Sequence, residues 1–85
     1  MYRVITYPDA LDQIAALPAA ALVGYAGVFD VLEVAPWNGP PQNTSNPEGA
    51  LRRWVFGPGT ARHVVYLILE QQRAVHVVLV QWLSP

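Results

Sequence analysis

The chain has 85 residues, a formal net charge of −1 at pH 7 and no cysteine. This length predicts a single domain, residues 1–85, and the lack of cysteine excludes disulfides and thiolate metal sites. Hydrophobic residues make up 53% of the chain, but no apolar run reaches the roughly 20 residues that cross a bilayer. The N-terminus does not have the pattern of a signal peptide. We expect a cytoplasmic protein with no membrane segment, no metal and no cofactor.

The charges are divided unevenly along the chain. Residues 1–48 hold one arginine and five acidic residues, whereas residues 49–85 hold four arginines and one glutamate. The near-neutral total argues against a protein that coats nucleic acid non-specifically, because phosphate binding is driven largely by positive charge. A local basic face on the second half of the chain remains open.

The first elements are a strand and a short helix. Met1–Tyr7 alternates and is rich in β-forming residues, which indicates a strand. Pro8 ends that strand. Asp9 is placed to cap a helix over Ala10–Leu17, because a short side-chain oxygen satisfies free backbone N–H groups at a helix start.

A second helix is predicted from about Pro18 to Val34. Its buried stripe is expected to consist of four residues at helical spacing: Leu22, Ala26, Phe29 and Leu32. Gly24 and Gly27 either weaken this helix, by about 1 kcal/mol each relative to alanine, or allow close packing on a neighbour. The residues alone leave that choice open.

Residues 36–49 form a loop by composition, since they include four prolines and three asparagines. The loop is either a stiff connector with Trp37 tucked into the core, or a functional or mobile segment. Ala50–Phe56 then reads as a strand, and a Gly-Pro-Gly turn follows it.

Residues 61–82 consist of two β-branched runs around a short polar turn, which predicts a hairpin. If Gln71 and Gln72 form a two-residue loop, His63 lies opposite Val80 and His76 lies opposite Leu67. Both faces of this hairpin are apolar. Two helices can cover only one of them, so the other is either a binding surface or closed by a partner chain.

This register limits the available chemistry. His63 and His76 would share a face but stand roughly 13 Å apart, too far for an acid–base pair. Arg52 and Arg53 are adjacent in a strand and therefore point to opposite faces. One of these two arginines must share a face with His63, and the sequence does not decide which.

Residues 62–66 read Arg-His-Val-Val-Tyr and follow an arginine-bearing strand that ends in Phe56-Gly57. Together with the loop that begins at Pro36-Trp37, this pattern resembles the RelE/ParE superfamily of bacterial toxins over nearly the whole chain. The resemblance implies an α+β fold of order β-α-α-β-β-β. Its twisted, mainly antiparallel sheet would carry the helix pair on one face.

The resemblance further implies the toxin of a type II toxin–antitoxin system, with a cognate antitoxin that masks the active face. RelE-like members cleave mRNA on the ribosome, and this endoribonuclease activity is the function we expect. ParE-like members instead inhibit DNA gyrase without catalysis. A non-toxic relative that only binds an antitoxin is the third possibility.

RNA cleavage needs a base for the 2′-hydroxyl, cations for the phosphorane and an acid for the 5′-oxygen. By the resemblance, the family's strand arginine falls on His63, with Arg62 beside it, and the basic residue of the preceding strand falls near Arg52 or Arg53. These four are the candidate catalytic residues, His63 as acid or base and the arginines for charge.

The aromatic candidates for substrate binding are Trp82, as a stacking platform, and Trp54. Trp82 falls where RNA-cleaving members often carry a basic residue. Nothing in residues 1–85 corresponds to the C-terminal tyrosine or histidine of some members.

Overall fold

The computed structural model describes residues 1–82, and for Trp82 the backbone alone. The six main elements follow in chain order: β1 (Arg3–Thr6), α1 (Pro8–Ala15), α2 (Ala19–Val34), β2 (Leu51–Phe56), β3 (Arg62–Leu69) and β4 (Ala74–Trp82). This is the α+β order that the sequence predicted. Among residues 1–82, neither helix combines the length and apolarity needed to span a bilayer.

The four strands form one mixed sheet in the order β1-β4-β3-β2. β1 is parallel to β4, and the other two pairs are antiparallel. The core lies between one face of this sheet and the two helices, where Tyr25, Leu32, Val64, Tyr66 and Val77 are buried. The predicted arrangement, a mainly antiparallel sheet with a helix pair on one face, is confirmed.

α1 begins earlier than predicted. Pro8 is its first residue and Tyr7 is the N-cap, with no side-chain capping bond, so the prediction that Asp9 caps the helix is wrong. The fixed φ of proline suits the first helical position, which moves Asp9 into the first turn. Within the helix, Gln13 Oε1 accepts a 2.6 Å hydrogen bond from the Val80 backbone N–H. α1 therefore covers the edge of β4 where β1 has ended.

α2 starts directly after Pro18, as predicted, but a different stripe is buried. The core residues are Ala21, Tyr25, Val28 and Leu32. Of the predicted stripe only Leu32 is buried, because Leu22 is 41% exposed, Ala26 is exposed and Phe29 is half-buried. The helix is apolar on nearly every side, so spacing alone does not select its inward face.

The two glycines of α2 have different surroundings. A Cβ at Gly24 would lie 3.1 Å from the backbone nitrogen of Gly57, so this glycine lets the helix approach the turn between β2 and β3. A Cβ at Gly27 would meet nothing within 4 Å. Of the two alternatives that the sequence left open, close packing on a neighbour applies to Gly24 and not to Gly27.

The β3–β4 hairpin has the predicted register only near its turn. There Leu67 pairs with His76, as expected, although the turn is a longer 3-10 segment, Glu70–Gln72. The register shifts by one residue between Val65 and Tyr66, which identifies a β-bulge. Beyond it His63 lies opposite Gln81, so the predicted partner, Val80, is wrong.

Candidate functional site

The sheet face away from the two helices, which we call the open face, is not covered by a helix within residues 1–82. By the strand register its side chains are mostly apolar: Arg3, Ile5 and Tyr7 from β1; Leu51, Arg53 and Val55 from β2; His63, Val65, Leu67 and Leu69 from β3; Ala74, His76, Leu79 and Gln81 from β4. Four of them, Ile5, Tyr7, Leu51 and Val55, are between 37% and 43% exposed. This is the apolar second face that the sequence predicted.

Arg53 and His63 are neighbours on this open face. Arg53 lies opposite Val65 and His63 lies opposite Val55, so the two are diagonal partners across β2 and β3. Such diagonal positions are roughly 7 Å apart, which is within reach of long side chains. Both side chains are half-buried. The arginine that shares a face with His63 is thus Arg53.

The imidazole of His63 makes no hydrogen bond through Nδ1 within residues 1–82, although that nitrogen is buried. His76, the other histidine of the open face, is different: its Nδ1 lies 2.8 Å from the Tyr7 hydroxyl, and the two rings meet edge to face at 5.4 Å. Nothing in the sequence signals this pair, because its members are far apart along the chain.

Arg52 points to the helix side of the sheet and is 8% exposed. Its guanidinium donates hydrogen bonds to three loop carbonyls: Gly49 at 2.8 Å, Gly39 at 3.1 Å and Pro47 at 2.9 Å. It also lies 4.9 Å from the centre of the Trp37 ring. Arg52 therefore fixes the loop before β2 and does not reach the open face.

Arg62 also belongs to the helix side of the sheet and is 6% exposed. It lines a cleft of about 450 Å³ between the end of α1 and the end of β4, together with Gln13, Ala16, Leu17, Val80 and Gln81. The structure thus brings together only two of the four candidate catalytic residues, Arg53 and His63. Arg52 and Arg62 lie on the other face because strand neighbours alternate.

The two candidate tryptophans differ in what can be described. Trp54 is half-buried and packs against the core. It also lines a second cleft, of about 410 Å³, with Asn38, Pro40, Arg53 and Val55. The side chain of Trp82 lies outside what the structure describes, and its backbone pairs with Arg62.

The loop before β2 is anchored to the hairpin turn through a carboxylate. Glu70 accepts hydrogen bonds from Tyr2 Oη at 2.5 Å, Trp37 Nε1 at 2.7 Å and Arg73 Nη1 at 2.7 Å. These hydrogen bonds lower the pKa of Glu70 to about 2, and the bond from Tyr2 has the largest effect. Trp37 is 38% exposed, so of the two alternatives for this loop, the one that places Trp37 in the core does not hold.

Tyr66 holds the start of the same loop. Its buried hydroxyl donates a 2.7 Å hydrogen bond to the Pro36 carbonyl, and burial raises the pKa of Tyr66 to about 12. The hydroxyl of Tyr66 therefore stays a neutral hydrogen-bond donor within the core. Among residues 1–82, no three side chains of histidine, aspartate or glutamate converge as a metal site would require.

Known structures with the same architecture include RelE toxins. The isolated E. coli RelE toxin superposes with a TM-score of 0.75 at 14% identity, over 100% of this chain and 87% of that one. A chain of the intact E. coli RelBE toxin–antitoxin complex gives 0.75 at 15% identity, over 100% of both chains.

A chain of the archaeal RelE–RelB complex from Pyrococcus horikoshii OT3 gives a TM-score of 0.69 at 17% identity, over 95% of this chain and 93% of that one. No family model matches the sequence, and no curated protein matches it. The likeness is therefore carried by the backbone and not by the sequence. The fold of this chain is that of the RelE toxins, as the order of its elements predicted.

Proposed function

We propose that this chain is the toxin of a type II toxin–antitoxin pair. Two observations support the proposal. The match to RelE covers the full length of the chain, and two of the three structures named above are complexes of RelE with RelB. The open face, in turn, leaves Ile5, Leu51 and Val55 about two-fifths exposed, although apolar side chains gain free energy by leaving water. A cognate antitoxin that covers this face would bury them.

The activity we propose is cleavage of mRNA on the ribosome, and the pairing of Arg53 with His63 is the observation that carries it. His63 supplies one proton transfer, either from the attacking 2′-hydroxyl or to the leaving 5′-oxygen. Arg53 stabilises the charge that develops on the phosphorane. The products are a 2′,3′-cyclic phosphate and a 5′-hydroxyl.

The second proton transfer falls to water. His76 is bonded to Tyr7 and stands several ladder positions away from His63, so it is not a partner for the same phosphate. No metal is needed for this chemistry, since a cationic side chain and an acid–base group act on the reacting oxygens directly.

The test is induced expression of the chain without an antitoxin, followed by mapping of mRNA ends. We expect His63→Ala and Arg53→Ala each to lower cleavage by about 100-fold or more, which is typical when an acid–base group or a charge-stabilising donor is removed. His76→Gln and Arg3→Ala are the matched controls. If His63→Ala and Arg53→Ala both cleave mRNA as well as the wild type does, these two residues do not form the catalytic site.

A second candidate function is inhibition of DNA gyrase by binding alone. It is favoured by the burial of Arg52 and Arg62 on the other side of the sheet. The open face is mostly apolar, and its arginines are Arg53, beside His63, and Arg3 on β1. Such a face suits contact with a protein. Purified chain that blocks supercoiling by gyrase, and leaves mRNA on ribosomes intact, would select this function over cleavage.

A further inference from the structure

A cleft of about 410 Å³ lies at the outer edge of β2, next to the Arg53–His63 pair. Among residues 1–82, the five that line it are Asn38, Pro40, Arg53, Trp54 and Val55. Its volume is that of a small-ligand pocket, and its lining combines apolar walls with an amide and a guanidinium. None of these five side chains is acidic, and Arg53 favours an anionic ligand there.

The edge of β2 is covered along only half of its length. The loop pairs with the first half, where Gln42 N–H donates to Leu51 O at 2.9 Å and Arg53 N–H donates to Pro40 O at 3.1 Å. In a strand, the backbone groups of alternate residues point to the same edge. The N–H and C=O of Val55 therefore face the same edge as those of Arg53, but they have no backbone partner there among residues 1–82.

We propose that this cleft binds one nucleobase of the RNA strand whose phosphate lies between Arg53 and His63; the inference rests on the proposed cleavage of RNA. Val55 lines the cleft and is also the cross-strand partner of His63, so the cleft and the reacting pair are contiguous. Trp54 and Pro40 supply apolar contact. The Val55 backbone offers one donor and one acceptor, which matches the hydrogen-bonding edge of a base.

Asn38 is the residue that determines which base is accepted, because its carboxamide presents a donor and an acceptor side by side. Its position is set by Arg52, which donates to the carbonyl of the adjacent Gly39 at 3.1 Å. Arg52 is thus a positioning residue for the cleft, although it does not reach the open face.

An extended peptide suits this edge less well than a base does. Strand addition takes its affinity from a row of main-chain hydrogen bonds. Here the uncovered edge offers only the Val55 pair of groups, between the Pro40 contact and the turn at Gly57, whose φ of 82° ends the strand. Arg53 also supplies a guanidinium that can form an ion pair with the phosphate of a nucleotide, which a peptide lacks.

The test is a titration of ¹⁵N-labelled protein with the four nucleoside 5′-monophosphates. We expect saturable shifts of the Val55 amide and the Trp54 indole resonances, with one base preferred. Asn38→Ala should weaken that binding by about 5-fold, as expected for one lost hydrogen bond, and reduce the preference. Asn46→Ala is the matched control, because Asn46 is an exposed asparagine of the same loop that does not line the cleft.

Three outcomes would overturn the inference: no shift with any nucleotide, shifts that Asn38→Ala leaves unchanged, or shifts of Val55 with an extended peptide alone. Its failure is distinct from that of the proposed function. If the chain cleaves mRNA but no nucleotide binds in the cleft, only the proposal of a base-binding cleft is wrong. If nucleotides bind in the cleft and no mRNA is cleaved, the proposal of a base-binding cleft is supported and the proposed cleavage of mRNA is wrong.

Discussion

Trp37 Nε1 donates a 2.7 Å hydrogen bond to Glu70 Oε1, which joins the loop after α2 to the turn of the β3–β4 hairpin. The same carboxylate accepts from Tyr2, near the N-terminus, and from Arg73. The Arg73 guanidinium also lies 4.0 Å from the centre of the Tyr2 ring. One carboxylate therefore ties together three segments that are distant in sequence.

This carboxylate should make the stability of the fold depend on acid pH. The hydrogen bonds of Glu70 lower its pKa from 4.5 to about 2. Its contribution to the free energy of unfolding is therefore fully present above pH 4.5 and is lost as the pH falls through about 2. We expect the melting temperature of Glu70→Gln to fall less than that of the wild type between pH 5 and pH 2.

The control for this prediction is Glu48→Gln, which removes a carboxylate from the exposed part of the loop. It should keep the pH dependence of the wild type, because the other acidic groups titrate in both proteins. Parallel melting curves for the wild type and Glu70→Gln over the whole range would contradict the prediction.

The fold was predictable because its elements carry strong local signals. The proline-rich loop and the β-branched runs around residues 61–82 identify the order of strands and helices. The bulge between β3 and β4 has no such signal, since the extra residue, Val78, stands inside an uninterrupted apolar run. The inward face of α2 was predicted wrongly for a similar reason. Val23 is 76% exposed, yet its side chain is as apolar as those of the buried residues of this helix.

The glycines of α2 should respond to alanine in opposite ways. Gly27→Ala is expected to raise the free energy of unfolding by about 0.5–1 kcal/mol, because it removes the helix penalty of glycine in open space. Gly24→Ala should lower it, since its Cβ would press on the backbone of Gly57 at 3.1 Å. Urea unfolding of the two variants checks this pair, and a stabilised Gly24→Ala would refute the close approach.

Gly39 should tolerate no side chain. A Cβ there would overlap the Tyr66 hydroxyl and come within 2.6 Å of the Arg53 carbonyl, so Gly39→Ala is expected to cost about 2–3 kcal/mol. Tyr66→Phe should cost about 1 kcal/mol through the lost bond to Pro36. The double variant should be less destabilised than the sum of the two, because the clash with the hydroxyl is gone. Additive losses in urea unfolding would argue against that contact.

The site was only partly predictable from the sequence. Strand alternation requires Arg52 and Arg53 to face opposite sides of the sheet. Which of the two arginines faces the helices depends on which side of the sheet the helices cover. That choice is a tertiary contact, made by residues such as Tyr25 and Leu32. The cleft at Val55 was hidden for the same reason, because it needs the loop to pair with only half of β2.

Substitutions of the two adjacent arginines should therefore have different effects: those at Arg52 should mainly lower stability, and those at Arg53 should mainly lower activity. Arg52→Ala is expected to lower the free energy of unfolding by about 2–4 kcal/mol, because three loop carbonyls lose a charged donor. Arg52→Lys should recover little of this, since one ammonium does not span the three acceptors that the planar guanidinium reaches. Arg53→Ala should change stability by less than about 0.5 kcal/mol.

The readouts are urea unfolding for stability and mapped mRNA ends for activity, with expression at a temperature where Arg52→Lys stays folded. Under that condition Arg52→Lys should retain cleavage but lose part of its base preference, because Asn38 is held less firmly. Arg53→Ala should remain as stable as the wild type and lose cleavage. The opposite pattern, an inactive but stable Arg52→Lys beside an active Arg53→Ala, would place the reacting face on the helix side of the sheet.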